Sequence, residues 1–425
     1  MKSKSKIILI FILFILGLSS QVVAQDDPSG DVEVFTWWTG GGEAHGLAGM
    51  IEAFSKIHPD INIVNATVAG GSGVNFKAVL VSRMLGGDPP DTFQVHAGQE
   101  LNALWVAAGR MEPLNDLYEE NGWFEQYPQG LIDLISDEEG NVYSVPVNIH
   151  RSNLMWYVPA NLEAWGVTAP ASWEEFVTTT CPTLQEAGII PISLGQTWTQ
   201  VHLWESVALG ELGVEAYNGL WNGTTEWTSP EVVATFDRLG QIMDCANDDM
   251  NALSHQDALL MVTEGRAAFN VMGDWAVSLY TVDEGLEPGV GFAWVPSPGT
   301  DGVFMMLSDT FGLPKGGPNP EATRVWLSYL GSAEGQDIFN PLKGSLPANT
   351  TADINNPELY NAYFQAAYAD WTSNTIVGSL AHGLVAPQSF LDGFYAIMAA
   401  FQSGRDSLTA SSNAAVLALQ TGMGR

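Results

Sequence analysis

The sequence predicts an α/β fold built on a parallel sheet crossed by helices, organised as two domains. Three observations predict it. The stretch 32–96 alternates strand, helix, strand, helix and strand with short connections, the pattern of right-handed crossover units. A second α/β segment runs from Asn153 to about Val295. The 425 residues exceed what one hydrophobic core usually serves, and at 46% hydrophobic residues the chain has apolar area for two.

Taken in order, Val32–Trp37 reads as a strand from its β-branched and aromatic run, and Thr39-Gly40-Gly41-Gly42 as the loop after it. Ala44–His58 carries Leu47, Met50, Ile51, Phe54 and Ile57 on one helical face and stops at Pro59-Asp60. Strand 61–68, the turn 70–73, helix 74–85, the loop 86–91 and strand 92–96 complete the unit. A turn at 137–141 precedes a strand at 142–147. Helices are expected near 173–185, 230–245 and 255–264, and a strand near 267–272. After a Pro/Gly-rich loop at 296–302, Val303–Leu313 reads as one further strand. Helices at 320–330 and 357–369 and a helical tract from Pro387 to the end close the chain.

Charge narrows the function. With 48 Asp and Glu against 15 Lys and Arg, the formal net charge is −33. A nucleic-acid partner requires a basic footprint to displace counterions, and an anionic membrane surface would repel this chain. At 10% aromatic residues and 15 Trp, it is no disordered acidic tail either. The N-terminus has the three parts of a secretory signal peptide: Lys2, Lys4 and Lys6, then the apolar run Ile7–Leu18, then Val22-Val23-Ala24 before a cut. Residues 1–24 are therefore expected to be removed and the chain exported to a periplasm or the cell exterior. The remainder holds 12 basic residues against 48 acidic, about −36, and keeps four lysines: Lys56, Lys77, Lys315 and Lys343. In an exported chain the two cysteines, Cys181 and Cys245, are most simply one disulfide.

Catalytic signatures are missing. The sequence has no G-x-S-x-G, H-E-x-x-H, C-x-x-C or phosphate-binding loop, and its seven histidines lack metal-ligand spacing. No metal, cofactor or catalysis is expected. What stands out is aromatic and polar residues at predicted strand ends, where parallel sheets bind ligands. Trp37 and Trp38 end the first strand, and adjacent strand residues point to opposite faces, so one of them faces a cleft. Gln94 and His96 share a face of the third strand. Trp275 follows Gly273-Asp274, Asp309 ends an apolar run, and His382 lies in the glycine-flanked loop 379–383. Lys343, read as part of a loop, stands out in a chain with so few lysines. Each has an ordinary alternative as core or solvated residue. Together, indole faces, amides, carboxylates, an ammonium and neutral imidazoles are what a neutral sugar engages, its C–H faces on aromatic rings and its hydroxyls on polar groups.

Ten stretches in order carry a resemblance: FTWW (35–38), NATVAGGSGVN (65–75), RMLGGDPPDTFQVHAG (83–98), SVPVNIHRSNLMWY (144–157), HLWESVAL (202–209), AAFNVMGDWA (267–276), SPGTDGVFMMLSD (297–309), GLPKG (312–316), EGQDIFNPLKGS (334–345) and IVGSLAHG (376–383). The chain resembles the family 1 extracellular solute-binding proteins of bacterial ABC sugar importers, within them the glucose/mannose-binding proteins, from about Glu33 to Arg425. The resemblance implies a two-lobed periplasmic-binding-protein fold of type II kind, with lobes of 25–147 plus 302–345 and 148–301 plus 346–425 hinged about an interlobe cleft. It implies a monomer that binds a monosaccharide, glucose with mannose or galactose as alternatives, and delivers it to permease subunits. It implies a disulfide between Cys181 and Cys245. The implied ligand set is Trp37, Trp38, Glu43, Gln94, His96, Trp275, Asp309, Lys343 and His382. Glu43 alone comes only from the resemblance, and its loop TGGGE is one residue longer than the usual spacing. A di- or oligosaccharide ligand and, in another class, a secreted glycoside-active enzyme are the competing readings.

A neutral ligand gains nothing from a charge near −36, so the excess is assigned to the outer surface, where salt at ~1 M would shrink the screening length to roughly 3 Å. The expected outcome is a thermal midpoint that rises between roughly 0.05 M and 2 M NaCl as repulsion is screened. Equal stability at both salts would refute this.

Overall fold

The computed structural model describes residues 28–70 and 73–423. The leader, residues 1–24, lies outside the described residues, as do Gly71 and Ser72 of the predicted turn. Twelve strands are formed among the described residues: β1 (Gly30–Thr36), β2 (Ile61–Thr67), β3 (Thr92–His96), β4 (Ser144–Pro146), β5 (His150–Arg151), β6 (Leu154–Tyr157), β7 (Ile190–Ser193), β8 (Ala267–Val271), β9 (Ala293–Pro296), β10 (Val303–Leu307), β11 (Asp309–Gly312) and β12 (Thr375–Gly378). They make a five-stranded sheet in the order β2-β1-β3-β11-β4, a four-stranded sheet β7-β8-β6-β9 and a three-stranded sheet β12-β10-β5.

The first unit forms as its pattern dictates. β1 pairs in parallel with β2 and β3. Helices Gly41–Ile57 and Val74–Gly86 cross between them, burying Leu47, Met50 and Phe54, and Phe76, Leu80 and Met84, at helical spacing. One core collects this sheet with Trp326 and Phe339; a second gathers Phe176, Trp204, Phe236, Phe269 and Phe394 around the four-stranded sheet. Local chemistry starts the helices of the second core. Ser229 caps Pro230–Met243 ahead of a proline in the first turn, and Ser254 with Asp257 forms a reciprocal capping box on His255–Thr263.

The expected single strand 303–313 is two. Ser308 separates β10, which pairs with β5 and β12, from β11, which lies antiparallel between β3 and β4. A uniformly apolar run reads as one strand although it passes from one sheet to another. Three chain segments cross together here. Val147 N donates to Asp309 O (2.9 Å), and Ile149 and Leu346 exchange backbone hydrogen bonds of 2.8 and 3.0 Å. β10 contributes to both cores, Met305 to the second and Phe304, Met306 and Leu307 to the first. The first core also takes residues expected in the second lobe, among them Trp156, Met272, Phe292, Leu346 and Tyr360.

Other differences have local causes. The helix expected at 173–185 is interrupted by a wide turn at Phe176–Thr180 before Cys181–Glu186. The C-terminal tract breaks into Gln388–Gly404 and Ser407–Gln420 at Arg405, whose φ of 51° no helix continues. The helix expected at 357–369 starts later, as Ala362–Ser373, where Asn361 supplies the cap.

Cys181 and Cys245 are bonded, with Cα atoms 6.0 Å apart and a sequence separation of 64. The bond ties the start of one helix to the chain leaving another within the second core. Replacing both cysteines with Ser should lower unfolding free energy by about 4 kcal/mol on a loop-entropy basis, measured by urea denaturation. An unchanged midpoint would show that the crosslink adds nothing.

Candidate functional site

A cavity of about 510 Å³ opens at the carboxyl ends of β1 and β3, within the size range of small-molecule sites. Its walls come from both halves of the molecule. Trp37, Glu43, His96, Asp309 and Lys343 stand on the five-stranded-sheet side; His150, Trp198, Trp275 and His382 stand opposite.

Trp37 and Trp38 follow β1 and diverge as adjacent strand residues must. Trp37 lines the cavity, its ring centroid 5.1 Å from His96. Trp38 turns into the core against Phe311 and Phe339, only 1% exposed, and is not part of the cavity wall. Gln94 is likewise corrected. It is fully buried beneath the wall, where Nε2 donates to Asp309 Oδ1 (2.8 Å) and Oε1 accepts from Trp37 N (3.3 Å). It positions two lining residues rather than lining the cavity itself.

Register sets His96 directly opposite Asp309 across β3 and β11. Asp309 Oδ2 accepts from Asn148 Nδ2 and Asp309 N donates to Asn148 Oδ1, each at 2.8 Å. Burial alone would raise this carboxyl, but Lys343, His96 and His150 nearby hold it below the usual range. Lys343 is not in a loop. It ends the helix Ala333–Lys343, which continues through Pro341 and stops at Gly344 in the left-handed region, φ 86°. Its Nζ donates to Glu43 Oε1 at 3.0 Å. The longer loop therefore does not carry Glu43 out of reach. Gly42 explains the approach: a Cβ there would lie 2.2 Å from Leu342 O, so helices Gly41–Ile57 and Ala333–Lys343 touch only through glycine. Burial raises the Glu43 carboxyl, with Lys343 opposing.

Opposite, Trp275 touches the rings of His150 (5.5 Å between centroids) and His382 (5.1 Å), and His382 meets His96 at 5.6 Å. Beneath, His150 Nδ1 bonds to Asp274, which also accepts from Arg151 N and Tyr363 Oη. Burial pushes Asp274 up to about 8 and His150 well down, so the pair is held net neutral with one proton between them. Seven of the nine expected residues thus meet in one cavity.

Several lining residues escaped sequence reasoning. Lys77 is one: its Nζ donates to Glu100 Oε2 (2.8 Å) and to Gln388 Oε1 (3.0 Å). The scarcity of lysine that singled out Lys343 applies equally to it. Val74, Lys77, Ala78 and Val81 form a helical stripe on the cavity, as do Gln388, Asp392 and Tyr395. Trp198 and His255 sit at helix starts, where no period marks them.

The profile of the family described as bacterial extracellular solute-binding protein matches residues 20–337, well over half of the chain. The chain belongs to that family. This solute-binding protein is 32% identical over 382 residues to an uncharacterised ABC transporter extracellular-binding protein of Pyrococcus horikoshii, covering 88% of this chain and 84% of the relative. It is 29% identical over 383 residues to a probable sugar-binding periplasmic protein of Mesorhizobium japonicum, covering 88% and 89%. Among solved structures it superposes on a chitin oligosaccharide binding protein with a TM-score of 0.80 at 19% identity, over 93% of this chain and 100% of that one. The two-lobed fold is shared.

Glu100 supports the cavity from below. Its Oε2 also bonds His96 Nδ1 at 2.7 Å. Burial would raise its carboxyl, but Lys77 and His96 together hold it at about 2. Because this value is depressed, its stabilising contribution is present above about pH 4.5 and lost as pH falls toward about 2. Glu100→Gln should therefore cost on the order of 3 kcal/mol at pH 7 and much less near pH 2. Denaturant titrations of both proteins across that range check it; a pH-independent difference would contradict the charged pairing.

Proposed function

We propose that this family member is the sugar receptor of an ABC importer, an exported monomeric carrier without catalysis. It binds a monosaccharide and hands it to membrane permease subunits. The observation that carries the reading is the composition of the cavity wall. Trp37 and Trp275 offer flat apolar faces, while Glu43, Asp309, Lys343, His96 and His382 surround them with hydrogen-bonding groups. A neutral polyol engages both kinds of group at once. Hydrogen bonds to charged partners add about 1.5–3 kcal/mol each, which favours hydroxyl ligands over apolar ones. Among the described residues no arginine lines the cavity, against a phosphorylated or carboxylated ligand.

D-glucose is the preferred ligand in this reading, with mannose or galactose next. Lobe division follows the strand crossings at 147–150, at Ser308 and near Leu346, and closure about them shifts the population of a pre-existing closed form. The kinship to a sugar-binding periplasmic protein supports the importer role.

One observation favours a larger ligand. Lys77, Gln388, Asp392 and Tyr395 also line the cavity, a wall that a second sugar unit would contact. The superposition on an oligosaccharide binder agrees with it.

Titration calorimetry with a panel of hexoses, disaccharides and chito- and malto-oligosaccharides separates these readings. Heat with glucose and none beyond two units is the expected result; heat only with oligosaccharides selects the second reading, and no heat with any sugar overturns both. Trp275→Ala should weaken the bound sugar by about 2 kcal/mol, roughly thirtyfold, by removing one stacking face. Turnover of a chromogenic glycoside would make the protein an enzyme instead.

A further inference from the structure

We propose that His202, Glu205 and His382 form a binding site for a divalent transition ion, zinc by its donor set, beneath the floor of the cavity. The three side chains are buried, and one ligand atom from each can be chosen so that all lie within 4.8 Å of one another. His202 and Glu205 stand one turn apart on the helix Thr197–Asn222, and His382 arrives from the loop after β12. That is why no spacing in the sequence announces the group.

The donors are oriented. His202 is fully buried, and neither ring nitrogen has a partner of good hydrogen-bond geometry, although the backbone of Ser152 lies near the ring. Leaving such atoms poorly paired in an interior is costly, and an ion would occupy one of them. Its Nδ1 stands 3.5 Å from Glu205 Oε1. Two ligands of a tetrahedral zinc at about 2.0–2.1 Å would stand roughly 3.4 Å apart, so this pair is already at coordinating separation. His382 completes the set, with a ring nitrogen within 4.8 Å of one ligand atom of each of the other two.

The surrounding bonds fix the third ligand. Ser379 Oγ lies 2.8 Å from Glu205 Oε1 and 2.8 Å from His382 Nδ1. With its single proton given to the carboxylate, Ser379 accepts from His382 Nδ1–H, which leaves the Nε2 lone pair to the ion or, when the ion site is empty, to a sugar hydroxyl. This is the outer-shell arrangement that fixes the tautomer of a metal-binding imidazole. Glu205 Oε2 accepts from Leu380 N (2.6 Å) and Ala381 N (2.9 Å), which anchors the carboxylate. No Lys or Arg reaches Glu205 among the described residues, so a cation there has no rival. Access runs through the cavity, whose wall includes His382.

The test uses the mature full chain stripped with EDTA, in the absence of sugar, so that its outcome is independent of ligand identity. Calorimetric titration with Zn²⁺ should show one equivalent bound, with no binding of Mg²⁺ or Ca²⁺, and Co²⁺ should give the visible absorption of a tetrahedral site. His202→Phe and Glu205→Gln should each weaken Zn²⁺ by at least about a hundredfold, since even outer-shell partners cost 10- to 100-fold. His45→Ala, at an exposed histidine, should leave it unchanged. Should either variant fail to fold, X-ray absorption on the zinc-loaded native protein decides, with two imidazole nitrogens and one carboxylate oxygen expected at about 2.0–2.2 Å. Absence of stoichiometric binding, equal binding of Mg²⁺, binding that survives both variants, or a different ligand set overturns the proposal.

Discussion

The buried carboxylate of Asp309 is the point on which the rest of the site depends. It sits where the chain leaves one sheet and enters another, so its backbone and side chain answer to different demands. The backbone joins β11 to β3 and receives Val147 across the crossing. The side chain is fixed by two amides, Gln94 below and Asn148 beside it, and faces the cavity. An ion so deeply buried is tolerated only when its lone pairs are occupied and countercharge is near. Both conditions are met, and meeting them dictates the neighbours: Lys343, two imidazoles and Gln94, which in turn holds the backbone of Trp37.

The second constraint is close contact between distant segments. Gly42 lets the helix bearing Glu43 meet the helix bearing Lys343, and Gly98, at φ 90°, lets the chain after β3 pass Leu384, where a Cβ would lie 2.6 Å from a backbone oxygen. The second contact brings His96 to His382. The walls therefore touch through backbone and rings at their base while aromatic and charged groups line the space above. Binding energy for a ligand spanning both walls comes from groups that already face one another, which lowers the ordering cost of closure.

Much of this was written in the sequence, unevenly. The first parallel unit was legible because its strands and helices alternate cleanly with short connections, and Asp309, His96 and Trp275 stood out as polar or aromatic residues ending apolar strands. What stayed hidden depends on sequence-distant packing. Trp38 and Gln94 differ from their lining neighbours only in which way the wall faces. The passage from β10 to β11 is hidden because both strands are buried and apolar, so no change of pattern marks the crossing at Ser308. Lys343 reads as loop because its helix runs through Pro341. His150, on a two-residue strand, has no periodicity to betray it.

The acidity of the chain and the chemistry of the cavity are linked through lysine. Of the four lysines among the described residues, two line the cavity, and each is spent on a carboxylate there: Lys343 on Glu43 and Lys77 on Glu100. An exposed ion pair contributes little because water and salt screen it, and Lys56 with Glu52 is of that kind. The cavity pairs are shielded and hold their partners' geometry, so cations concentrate where they do most while the surface is left anionic. Lys77 and Lys343 stand where removal would leave a cavity carboxylate unpaired, while Lys56 and Lys315 are exposed. Glu205, buried and without a lysine or arginine partner among the described residues, is pushed up to about 7 by burial, so it is neutralised there by a proton or by a cation from outside the chain.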